Sequence, residues 1–375
     1  METRLVSLRD LSAADEQAWR GLAERAVEPN PYFEPDFLRP ACRHFEGYGQ
    51  TRLVIAQEGP EFRAVLPIIG VEHPKVPPRP TAVTRGDPTA ISGLSTPLVD
   101  GACVDRAIGA LLDELHVGAR RGGLPGIVAL SRVGDDGPVA TATRRVCAAR
   151  GLPVFTKDTW LRGTVSRQGA WEHPLTRHRR RDIDRLRRGL TRDTGNEVTL
   201  VDRSRDPTAA AEFLEMEASG WKGRGHGSAF ARHPAKIAWF REWCELWAPT
   251  GRLHLLALHV GEACIAMQCF VRAGRGLFFF RMAFDAAYAR SAPGAMLLAS
   301  SMEHLRTCSD ADWIDSCADR DNRFVLEMLP EARPLSMLLI GTGGVVDRRA
   351  VSALPAVTRI VAAGRRARRR WARPA

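Results

Sequence analysis

Two stretches of this sequence carry residues whose types and spacing could do chemistry. The first is "EMEASGWKGRGHGSAF", residues 215–230, where Trp221 and Lys222 run into Gly223, Gly225 and Gly227. Glycine runs cradle phosphates when they stand between a strand and a helix as G-x-G-x-x-G or G-x-x-x-x-G-K-[ST], because bare backbone amides can then approach the anion. Neither pattern fits here. Gly220 to Gly225 has the interval, but His226 stands where the lysine should be, and the residues ahead have helical spacing. The second stretch is "GLFFFRMAFDAAYARSAPGAMLLASS", residues 276–301, an apolar and aromatic run of the kind a covered strand needs, followed by a helix start. Ser291 can cap that helix and Pro293 suits its first turn. A strand entering a helix through Pro293, Gly294 and Ala295 leaves amides without intrahelical acceptors, and the positive end of the dipole then favours a phosphate or pyrophosphate. Arg290 lies one turn ahead and adds a charge-assisted contact.

Other familiar chemistries lack their residues. There is no G-x-S-x-G elbow for an activated serine and no H-E-x-x-H zinc helix. His254, His259, Cys264 and Cys269 recur at five-residue intervals, an odd spacing that alternates strand faces, so no shared metal is expected. The eight cysteines include no C-x-x-C pair and read as reduced, mostly buried thiols. Cys317 reads as a small buried hydrophobe and not as a nucleophile.

The chain has 375 residues, enough for two cores, and its 45% hydrophobic and 26% charged residues are those of a soluble globular protein. No apolar run reaches the roughly 18 residues a membrane span needs. The charged N-terminus lacks an apolar h-region, so a cytoplasmic protein is expected. The net charge of +11 is concentrated in "TRHRRRDIDRLRRGLTR", residues 176–192, and in "GRRARRRWARP" from Gly364. Such blocks suit nucleic acid, acidic lipid or another polyanion, with a solvated surface as the plain alternative. In the first block Ile183, Leu186 and Leu190 make one apolar stripe, which predicts a basic helix packed along one side.

The elements that must position these residues occur twice. "RLVIAQEGPEFRAVLPIIG", residues 52–70, alternates about a Glu58-Gly59-Pro60 turn, and "RLHLLALHVGEACIAMQCFV", residues 252–271, does the same about Gly261-Glu262. Both read as β-hairpins. Each is preceded by two segments of helical spacing and followed by a helix and a strand. Two copies of one unit are therefore expected in preference to one large sheet. The boundaries fall at 1–168 for the first lobe, 169–192 for a basic linker helix, 193–346 for the second lobe and 347–375 for a basic tail.

With that order of elements the chain resembles the acyltransferase superfamily called GNAT, whose members transfer an acyl group from acyl-coenzyme A to an amine. The segments "EMEASGWKGRGHGSAF", "GEACIAMQCF" and "AFDAAYARSAPGAMLL" resemble its BioF2-like, or CelD-like, branch, whose two-lobed build is similar to the Fem peptidoglycan aminoacyl transferases. The resemblance covers residues 177–340, with "NPYFEPDFL" and the repeat extending it to the first lobe. It implies an α/β fold of two tandem GNAT-like lobes with mixed sheets, FemAB-like in arrangement, and the active centre in the second lobe.

The resemblance further implies acyl-coenzyme A, above all acetyl-coenzyme A, as donor, held at Arg290, Ser291, Pro293, Gly294 and Ala295, and no metal. The superfamily's usual loop is Gln/Arg-x-x-Gly-x-Gly/Ala; here Pro293 follows Arg290 at that interval and Gly294 comes one place later. An amine that attacks the thioester directly needs a base, an oxyanion donor and alignment. The base falls among Glu217, Asp285, Asp315 and Asp319, in preference to His304 inside a helix, and the oxyanion donor is an amide near Phe284. Trp221, Lys222, Gly223 and Arg281 are set against the acceptor, an amine on a small molecule or an amino sugar of a polysaccharide precursor. For Trp221 a core anchor and for Lys222 a solvated helix end are the plain alternatives. Two other readings stand beside this one: a Fem-type transferase that uses aminoacyl-tRNA, and a non-catalytic protein that binds a polyanion or an anionic membrane surface through the arginine-rich segments.

Overall fold

The computed structural model describes all residues except 73–79, 85–90, 170–174, 221–228, 321 and 372–375. The first half of the chain runs β1 (Glu2–Ser7), α1 (Ala13–Arg25), α2 (Pro35–His44), β2 (Arg52–Glu58), β3 (Glu61–Glu72), β4 (Pro80–Thr84), β5 (Leu98–Val99), α3 (Val104–Arg120), β6 (Ile127–Gly134), α4 (Pro138–Ala149) and β7 (Val154–Ser166). The second half follows as α5 (Arg177–Thr194), β8 (Val198–Asp202), α6 (Ala209–Ser219), α7 (Pro234–Trp247), β9 (Leu253–Val260), β10 (Ala263–Ala273), β11 (Gly276–Phe284), α8 (Pro293–Cys308), β12 (Trp313–Asp315), α9 (Arg323–Met328), β13 (Glu331–Gly341) and α10 (Val345–Trp371). Local chemistry accounts for several boundaries. Ser12 and Asp15 form a reciprocal capping box on α1, and Pro35, Pro138, Pro234 and Pro293 each open a helix. Gly59 and Gly261 turn the two hairpins at φ of 58° and 55°, a region that costs a side chain but not glycine.

The expected repeat is present, but its two sheets are joined. Among the described residues thirteen strands form one sheet in the order β1-β2-β3-β4-β6-β13-β7-β12-β11-β10-β9-β8, with β5 paired to β3. The preference for two separate units over one large sheet is thereby corrected. The physical reason is an exchange of final strands. β13, the last strand of the second half, pairs antiparallel with β6 of the first, while β7, the last strand of the first half, pairs antiparallel with β12 of the second. β7 and β13 also pair with each other, so neither half-sheet has an open edge at the centre.

Helices cover both faces. On one, α1, α2, α6 and α7 bury a core shared by the two halves, in which Phe37, Trp239, Trp243 and Phe280 pack together. Trp239 and Trp243 stack at 5.4 Å between ring centroids, and the Trp247 indole donates to the Asp36 carbonyl at 3.3 Å, so helices from opposite halves lock directly. On the other face α3 and α4 cover the first half-sheet, and α8 with α5 covers the second. The basic helix packs by Ile183 and Leu190, which are buried, with Leu186 half-buried. The basic tail is helical from Val345, and its first turns seat Val351 and Leu354 against Ile127, Ala129 and Leu339.

Because β13 belongs to both half-sheets, weakening it should weaken the whole molecule. Leu338 on β13 is fully buried in the core under α3. Leu338→Ala is expected to lower the unfolding free energy by about 2–5 kcal/mol, in a urea titration that remains a single transition for both halves.

Candidate active site

The sheet opens at one place. β11 pairs parallel with β12 only from Gly276 to Phe278, whereas its other edge stays paired with β10 as far as Phe284. Beyond Phe278 the two strands part, so residues 279–284 have no partner on β12. The register on β10 shifts between Cys269 and Phe270, which makes Phe280 an extra residue on β11. The bulge aims two successive side chains at the α6–α7 side: Phe280 lies 4.8 Å from Trp243 between ring centroids, and Arg281 stands 4.1 Å over the Phe230 ring.

Directly after β11 comes the predicted anion junction. Asp285 closes the strand, and its side chain accepts from the Ala287 amide at 2.9 Å. Residues 286–291 form a 3-10 turn that packs against α5, and α8 starts at Pro293. Ser291 does not cap α8. That place is taken by Ala292, at φ 49°, with no side-chain cap bond, because the left-handed turn at Ala292 carries Ser291 off the helix start. The junction has fewer open amides than its sequence suggested: Pro293 has none, and the Ala295 and Met296 amides both return to the Ala292 carbonyl. The Gly294 amide has no acceptor among the described residues. A Cβ on Gly294 would stand 2.8 Å from the Met282 sulfur, so glycine lets this helix start lie against β11. Arg290 is exposed beside it.

Glu217 and Arg281, assigned separately by sequence, are brought together. The Glu217 side chain is fully buried, forms an ion pair with Arg281 and accepts from the Phe230 amide at 2.7 Å. Glu217 thus ties the end of α6 to the bulge of β11 and to the residues that follow the glycine run. Gly220, which ends α6, approaches the Phe284 carbonyl so closely that a Cβ would lie 3.3 Å away. The chain leaves α6 at the open end of β11. Trp221, Lys222, Gly223 and the rest of the glycine run lie outside the described residues.

The two remaining carboxylates have unlike settings. Asp319 is 70% exposed and pairs with Arg132 at 3.3 Å. Asp315, at the end of β12, is buried between Arg333 of β13 and Arg162 of β7, the latter at 3.7 Å, and accepts from the Cys317 amide at 2.6 Å. Burial pushes its pKa up, but Arg333, then Arg162 and the Cys317 amide, outweigh this and hold the carboxyl below its usual value. Arg162 also donates to the carbonyls of Gly93 and Ala318, at 2.7 and 3.1 Å. Tyr32 donates to the Cys317 sulfur at 3.1 Å, and burial followed by the nearby Asp315 pushes the Cys317 thiol up, so it is not a thiolate nucleophile. Sequence reasoning missed Arg162 and Arg333, which belong to segments with no motif, and Tyr32, which lies within "NPYFEPDFL" but was given no role. His304 pairs with Asp202 at 3.5 Å, beside a groove of about 730 Å³ between α5 and the C-terminal half of α8, away from the β11–α8 junction.

Asp315 is the charge on which the two buried arginines depend. Its folded pKa is the lowered one, so the cluster contributes stability above the unfolded value of about 3.9 and loses it as pH falls through the folded value. Asp315→Asn is expected to cost about 3–5 kcal/mol at neutral pH, in urea unfolding, with the deficit shrinking on acidification. Asp319→Asn should stay within about 0.5 kcal/mol of the parent.

Residues 177–321 match the family model of the acetyltransferase (GNAT) domain. No curated protein sequence is significantly similar to the chain. Among solved structures, FemX superposes with a TM-score of 0.58 at 10% identity, over 91% of this chain and 97% of that one. The C-terminal domain of a protein described as a lysylphosphatidylglycerol synthetase from Agrobacterium fabrum gives 0.54 at 15% identity, over 91% and 95%. L-PGS from Bacillus licheniformis gives 0.51 at 11% identity, over 87% and 97%. Residues 177–321 therefore match a GNAT acetyltransferase domain, within a chain whose two-lobed fold is similar to that of FemX.

Proposed function

We propose that the protein is an N-acyltransferase that moves an acyl group from acyl-coenzyme A to an amine, on a small molecule or on an amino sugar of a polysaccharide precursor, in the manner of the BioF2-like branch. The observation that carries this reading is the parting of β11 from β12 beside the start of α8. The thioester arm would lie where β11 parts from β12, and the pyrophosphate would take the Gly294 amide and Arg290. A β11 amide near Phe284 would meet the oxyanion as the amine attacks the thioester carbon and the coenzyme thiolate leaves. The acceptor would approach from the α6–α7 side, where Arg281 stands over Phe230.

Of the four carboxylates, Asp285 fits the base best. One of its oxygens accepts from Ala287, and the other has no partner among the described residues. Glu217 is engaged by Arg281 and Phe230, and Asp315, with its lowered pKa, is a weak proton acceptor. Asp285→Asn should lower kcat by about a hundredfold or more with little change in KM for the donor.

Calorimetric titration with acetyl-coenzyme A and longer acyl forms tests the donor. Gly294→Asp, which sets bulk and negative charge at the helix start, should weaken binding at least about tenfold, and Gly294→Ala by less; unchanged affinity in Gly294→Asp overturns the reading. A second donor, aminoacyl-tRNA, is favoured by the exposed arginines of α5. Transfer from charged tRNA with a steep salt dependence, in place of acyl-coenzyme A binding, would decide for it.

A further inference from the structure

Beyond Leu354 the last helix leaves the body of the protein. Every residue from Pro355 to Ile360 is exposed, Val357 by 45% and Ile360 by 72%. Exposed aliphatic side chains on a projecting helix need an explanation, and their spacing supplies one. Val346, Ala353, Val357 and Ile360 recur at seven, four and three residues, which is one ridge of an α-helix. Arg348, Ser352 and Arg359 recur at four and seven on the opposite side. The helix continues to Trp371 through Arg365, Arg366, Arg368, Arg369 and Arg370.

The occupant of this helix has to satisfy both sides. A nucleic acid would use the arginines and leave Val357 and Ile360 in water. A second copy of the chain would cover the ridge but leave the arginines on the outer faces without a counter-charge. An anionic lipid surface meets both demands: phosphate headgroups neutralise the guanidinium groups, the aliphatic ridge enters the acyl boundary, and tryptophan suits the interface. The helix is too charged to cross a bilayer, and no helix among the described residues is long and apolar enough to do so. We propose that the distal half of α10, from Pro355 onward, docks the protein on an anionic lipid surface and lies in its plane.

Cosedimentation of the full-length protein with vesicles tests the proposal. Binding is expected to vesicles of phosphatidylcholine mixed with phosphatidylglycerol, not to phosphatidylcholine alone, and to weaken as salt is raised. The double variant Val357→Glu with Ile360→Glu should cut the bound fraction at least about tenfold, and so should replacing Arg365, Arg366, Arg368, Arg369 and Arg370 by serine. The first variant alters only side chains that make no core contact, so its urea midpoint should match the parent. The proposal is overturned if mixed vesicles do not bind, or if the glutamate variant binds as well as the parent, which would leave only a generic polycation. It is also overturned if the glutamate variant turns a dimer into a monomer while neither form binds lipid.

Discussion

Arg162 and Arg333 face each other directly across the two exchanged strands, β7 and β13, in the middle of the sheet. Two like charges at one register position would repel, and burial would multiply the cost. Asp315, at the end of the adjoining strand β12, is the counter-charge that makes the arrangement tenable, and with it the joining of the two half-sheets. Buried atoms at Arg162 Nη2 and Arg333 Nε still have no hydrogen-bond partner among the described residues, so the cluster carries a residual polar cost. That cost argues for a role beyond stability. The same three residues lie where β12 stops, and the point at which β12 stops is where β11 and β12 part.

The opening of the sheet follows from that stop. β12 ends at Asp315, whose carboxylate takes the Cys317 amide, and Cys317 itself sits at φ 49°, so the chain turns away from the sheet. β11 continues past that point, held on its far edge by β10 and on its face by the Trp243–Phe280 contact. β11 is thus held firmly at the place where it parts from β12. Glu217 and Arg281 brace the bulge from the α6 side, while Gly294 lets α8 approach from the other. The candidate site is thus framed by β11, α6 and α8.

The tandem arrangement has a mechanical consequence. Helices α2 and α7, one from each half, share an aromatic core, reinforced by Arg252 against Glu34 at 2.6 Å. The first half therefore contributes to the setting of the second half's active centre through Tyr32, Gly93 and Arg162, which lie against Ala318 and Cys317 just past β12. A single half could not reproduce this, because its sheet would lack its final strand. After β13 the chain enters α10, whose first turns are held against the sheet by Val351 and Leu354.

By itself the sequence determined the local events. Alternation about Gly59 and Gly261 specified both hairpins, the Ile183–Leu190 spacing specified the basic helix, and the run from Gly276 through Gly294 specified a strand feeding a helix. These depend on periodicity and on backbone limits that act within a few residues. The family resemblance, carried on short motifs, supplied the superfamily and its two-lobed plan. What only the tertiary structure decided was pairing at a distance: that β7 and β13 trade places, that Glu217 meets Arg281 across about sixty residues, and that Asp315 is enclosed by Arg162 and Arg333. Such contacts leave no periodic trace, since each partner is a lone charge whose neighbours in sequence are free to vary, and only the folding of the whole sheet brings them within a few ångströms.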